Sequence, residues 1–82
     1  MTAIIDSTAG YPELPEGYSW VRGSQLNDYY VVEFVEVRKK TWWIFSDSID
    51  WYGVRSGENS NYRDLLKAHA EKIAPLITRD LP

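Results

Sequence analysis

One histidine, no cysteine and twelve carboxylates are the material from which this 82-residue chain could build an active site. Without a thiol there is no disulfide, no thiolate nucleophile and no cysteine-based zinc site, and the redox compartment is left open. His69 stands on an apolar stripe between Leu65 or Leu66 and Ile73. A histidine with one hydrogen-bond partner at the boundary of a core is the ordinary reading there, and a pH-sensitive or binding group is the sharper one. A serine triad would present its nucleophile on a sharp turn, and no G-x-S-x-G segment exists. Asp47 and Asp50 lack the graded oxygen ligands of a calcium loop and read as a turn. Glu33 and Glu36 fall on opposite faces of one strand, so they do not pair for acid–base work. "GYSWVRGS" has neither the lysine of a phosphate loop nor a dinucleotide-type spacing. No catalytic, metal-binding or cofactor-binding residue is therefore assigned, and the expected function is non-catalytic.

The residues suited to binding are more conspicuous. "TWWIFSDSIDWYGVR", Thr41 to Arg55, carries three of the four tryptophans together with Phe45 and Tyr52. Arg38, Lys39 and Lys40 precede it, and cations beside rings are what single-strand nucleic-acid binders use, the bases stacking while the cations track phosphates. The same cations at a turn are commonly a solvated tip.

The elements that must position these residues follow from periodicity. Residues 1–17, with Pro12, Pro15 and Gly17, read as an extended arm docking through Ile4, Ile5, Tyr11 and Leu14. Tyr18 to Arg22 reads as a first strand, Gly23 to Asp28 as a turn, and Tyr29 to Arg38, rich in aromatic and β-branched residues, as the clearest strand. A hairpin at Lys39–Lys40 then leads to a third strand, Thr41 to Ser46, and a turn at Asp47 to Asp50 to a fourth, Trp51 to Ser56, with Gly53 as a bulge. After "GENSN" the period becomes about 3.6: Tyr62, Leu65, Leu66, His69, Ala70, Ile73, Leu76 and Ile77 share one face of a helix capped by Ser60 or Asn61. Pro75 should kink that helix or stop it near Ala74. The expected fold is α+β: a small antiparallel sheet of three to four strands with one C-terminal amphipathic helix on one face, in a single domain over residues 18–82.

One helix covers one sheet face, yet both faces are apolar. Tyr29, Val31, Glu33, Val35 and Val37 alternate with Tyr30, Val32, Phe34, Glu36 and Arg38. About half the rings should be core and half should face away, covered by the arm, by a second copy or by a foreign partner. Tyr30, Phe34, Arg38, Lys39, Lys40, Trp43, Phe45 and Tyr52 are the partner-binding candidates.

A net charge of -3 argues against broad binding to a nucleic-acid backbone. The N-terminus has no signal-peptide pattern, no run suits a membrane span, and a cytoplasmic location is the default expectation. In layout alone, a short sheet followed by a helix is similar to the three-stranded DNA-binding domains of certain plant transcription factors and of phage integrases. "LPEGYSWVRG" leading to Tyr29 and Tyr30 has a loosely similar opening. No specific motif is shared, and the acidic charge departs from those basic domains. Compact, acidic, cysteine-free domains are also what phages and mobile elements encode to block a host protein. The expected function is thus a protein–protein interaction module, of the kind a phage or mobile element uses to inhibit a host protein. Its partner is itself (a homodimer) or a host protein; a nucleic-acid binder using the basic tip or a homo-oligomeric structural protein is the alternative.

Overall fold

The computed structural model describes residues 2–3, 8, 10–42 and 45–79. Three long antiparallel strands and one C-terminal helix make an α+β domain: β2 (Tyr18–Asn27), β3 (Tyr30–Trp42), β4 (Phe45–Arg55) and α1 (Tyr62–Arg79). A two-residue strand, β1 (Thr2–Ala3), pairs with Ser24 and Gln25 at the β2 edge, so the sheet order is β1-β2-β3-β4.

The strands are longer than local turn signals suggest. Gly23 to Asn27 stays in β2, opposite Phe34 to Tyr30, and the turn shrinks to Asp28 and Tyr29. Lys39 and Lys40 do not form the hairpin tip. Lys40 N donates to Gly17 O, and across the other edge Lys39 and Lys40 lie opposite Asp47 and Ser46, so β3 runs on to Trp42 and the chain reverses between Trp42 and Phe45. Two lysines carry no preference for the positive φ of a tight hairpin, whereas a ladder available on both sides rewards extended backbone. Asp47 to Asp50 is likewise no turn. The ladder slips between Val37 and Arg38, leaving Ile49 as an extra residue, so a bulge bends one continuous β4 where two strands were expected.

Register decides the faces. Trp20, Arg22 and Ser24 share a face with Glu33, Val35 and Val37 and with Asp50, Tyr52 and Val54. The helix lies on this face, against β3 and β4, and buries Leu66, Ala70, Ala74 and Ile77. The arm covers the β2 side of the same face: Tyr11 packs edge-on against Trp20, whose Nε1 donates to Pro12 O at 2.8 Å. Leu14 is half-buried, and Ile4 and Ile5 lie outside the described residues. The described part of the arm therefore leaves the second face uncovered.

Beneath this cover lies a buried ion pair. Arg22 donates to Glu33 Oε1 at 3.4 Å and to the carbonyls of Gly23 and Phe34 at 2.9 and 2.8 Å, and Ser24 Oγ donates to Glu33 Oε2 at 2.6 Å. Both carboxylate oxygens are thus given a donor, and among the described residues no buried side-chain nitrogen or oxygen is left without a partner.

Asn61 O accepts the first helical bond, from Leu65 N, which places Asn61 at the expected cap. The helix does not stop at Ala74; it continues through Pro75 to Arg79. Proline deprives Glu71 O of its donor, but both residues are exposed, where an unbonded carbonyl costs little, while Ala74 and Ile77 anchor the turns on either side. Pro75→Ala should restore the bond and raise stability by about 1–3 kcal/mol, read as a higher urea midpoint at unchanged slope.

Candidate functional site

The face turned away from the helix carries Tyr30, Val32, Phe34, Glu36 and Arg38 from β3 with Trp51, Gly53 and Arg55 from β4. Phe34 is not the exposed anchor expected from its alternation. The Trp51 indole stacks on it at 5.6 Å between centroids and 26° between planes, leaving Phe34 buried and Trp51 49% exposed. Gly53 makes this possible. A Cβ there would come within 2.5 Å of Trp51 Cη2 and 2.7 Å of Val32 Cγ1, so the indole occupies the space a side chain would take. Arg55 lies over the Tyr30 ring at 4.0 Å and bonds Glu58 at 3.2 Å. The Glu58 hydrogen bond and charge hold the Arg55 guanidinium above its ordinary pKa, and arginine is a cation at any working pH with or without that shift.

Tyr52 is a correction. It lies on the opposite face, stacked on His69 at 4.3 Å and 12°, while its neighbour Trp51 takes the outward place. Alternation assigns neighbouring residues to opposite faces but cannot say which face the helix will take, and that choice sent Tyr52 inward. His69 Nε2 lies 2.7 Å from Asp50 Oδ2, joining α1 to β4 as the boundary reading expected. Trp51 and Arg55 were missed as candidates. The available signal was Gly53, a residue without a side chain two positions from a tryptophan on the same face.

The basic cluster is dispersed by the strand that carries it. Arg38 turns along the outer face to bond Ser46 Oγ and O, each at 2.8 Å, and Glu36 at 3.3 Å. Lys39 points to the other side, near the Tyr18 ring and across from Asp47, and Lys40 stays exposed across from Ser46. At the end of the β3–β4 hairpin Trp42 and Phe45 stack nearly parallel, 7° apart, and are 69% and 58% exposed. Trp43 lies outside the described residues.

Among the described residues no group of three His, Cys, Asp or Glu could hold a metal ion, and no helix is long and apolar enough to cross a membrane. No known family model, curated protein or solved structure matches the chain.

Proposed function

We propose that the protein is a non-catalytic interaction module that binds another protein through its outer sheet face, with Trp51, Tyr30 and Arg55 as the anchors. The observation that carries this reading is the half-exposed Trp51 indole, held rigidly by Phe34 beneath it and Gly53 beside it on the face that neither the helix nor the described arm covers. Tryptophan, tyrosine and arginine are the residues in which binding energy concentrates, and a ring already fixed in place loses little conformational freedom when a partner covers it. A phage or mobile-element product that blocks a host protein needs no machinery beyond such a face.

A second reading has its own support in the stacked Trp42 and Phe45 beside Lys40, which form a platform for unpaired bases at the hairpin end. The pairing of Arg38 with Glu36, and the turn of Lys39 to the opposite face near Tyr18, weigh against it.

The test compares Tyr30→Ala and Trp42→Ala in capture from the source cell or its host and in titration with single-stranded oligonucleotides. Both positions are exposed, so both variants should keep their melting temperatures within a few degrees. Tyr30→Ala should lose its protein partner at low and moderate salt alike, with Trp42→Ala unaffected. Oligonucleotide binding that collapses with salt and depends on Trp42 would replace this reading with the second.

A further inference from the structure

β4 is the last strand of the sheet, and among the described strands and helix it packs against β3 and α1 alone. Its hydrogen-bonding phase can be read from the end of the ladder. Ser56 N donates to Val31 O, so Val54, Tyr52 and Asp50, at even spacing from Ser56, also direct their N–H and C=O groups at β3. Trp51, Gly53 and Arg55 must then direct theirs away from the sheet. Arg55 O is held by Glu58 N at 3.2 Å and Asn59 Nδ2 at 3.0 Å. Among the described residues, the backbone groups of Trp51 and Gly53 and the Arg55 N–H have no partner across that edge.

An exposed strand edge of this kind is a template for another strand, and proteins ordinarily blunt it. Here the bulge at Ile49 and the carboxylates of Asp47 and Asp50 disturb only the first half of β4. Trp51 to Arg55 keeps an unbroken register with β3, and its one charged side chain is Arg55.

We propose that this edge pairs antiparallel with the same edge of a second copy, about a two-fold axis at Gly53, so that two sheets become one. The inference goes beyond the outer-face reading: it concerns the edge of β4, and the outer face stays open in the pair. The register follows from the bulge: Gly53 is the midpoint of the only undisturbed stretch, and centring there keeps Ile49 outside the paired segment. Gly53 N then donates to the partner's Gly53 O, and Arg55 N to the partner's Trp51 O, each bond being made twice. Arg55 stands opposite the partner's Trp51 on the outer face, a cation beside an indole, and Tyr52 stands opposite the partner's Val54 on the other. No like charges meet. The pairing joins the two Trp51 and Tyr30 clusters into one continuous aromatic surface.

The experiment is light scattering of the full chain across a concentration series, with amide hydrogen exchange followed by NMR on the same protein. The expected result is a mass of twice 9.5 kDa, with the Gly53 and Arg55 amides slowed about 100-fold or more relative to open chain. Arg55→Pro, which removes an outward N–H but no bond to β3, should give a monomer, whereas Arg55→Ala, which removes the cation but keeps the N–H, should weaken the dimer by no more than about tenfold and leave the Gly53 amide protected. A monomer at every concentration overturns the second copy and leaves the outer face to a foreign partner. A dimer whose Gly53 and Arg55 amides exchange freely overturns the edge pairing and places the contact elsewhere. If Arg55→Pro fails to fold, the exchange rates of the unaltered chain still decide between pairing and its absence.

Discussion

Glu33→Ala should destabilise the domain by about 3–5 kcal/mol, as the loss of one member of a buried ion pair does. Arg22 and Glu33 are 2% and 4% exposed, and removing the carboxylate takes a charge partner from a guanidinium buried beneath the helix and arm. The two carbonyls that Arg22 also bonds cannot neutralise it, and Ser24 loses its acceptor. Folded domains of this size are stable by only about 4–12 kcal/mol, so the variant should unfold at low urea or fail to fold at all. Replacing both charges, as Arg22→Met with Glu33→Leu, should recover most of the loss, because the penalty comes from the uncompensated charge rather than from the missing attraction. A double variant as unstable as Glu33→Ala would mean that the cost is one of packing.

Phe34→Ala should cost about 3–5 kcal/mol, even though Phe34 sits on the face that the helix does not cover. Its ring is only 5% exposed because Trp51 lies over it, and Val32 packs alongside. The outer face thus has two layers: Phe34 and Val32 belong to the fold, and Trp51, Tyr30 and Arg55 ride above them. Denaturation of Phe34→Ala beside Tyr30→Ala separates the layers, the first losing stability and the second changing by no more than about 0.5 kcal/mol. Equal losses would mean that the outer face is a single core without a separable binding layer.

Much of the chain was legible because periodicity reports how a segment meets a neighbour. The run from Tyr30 to Val37 alternates with period two and proved two-sided, with Val35 and Val37 under the helix and Val32 and Phe34 on the other face. Leu66, Ala70 and Ile77 fell on the buried stripe for the same reason. Leu76 did not: placed on the stripe by spacing, it is exposed at the stripe's edge, and Ala74 is buried in its stead. The turn signals were less reliable. Gly23 to Asp28, Lys39–Lys40 and Asp47 to Asp50 were each read as reversals from local composition, and ladder bonds on long strands outweighed those preferences. The site suffered from the same error, since Arg38, Lys39 and Lys40 form a cluster only if they stand at a tip.

By itself, the sequence determined the class of the fold, the alternation that makes both sheet faces apolar, the amphipathic helix and the absence of thiol chemistry. These depend on residue type and on spacing within one segment. Only the tertiary structure decided that the helix and the described arm share one face, that Tyr52 goes under His69 while Trp51 turns outward, that Arg22 finds Glu33, and that β4 ends the sheet with its last five residues in unbroken register. Each of these is set by which strands pair and in what register. Pairing free energy is shared among residues far apart in the chain, so no single segment carries it.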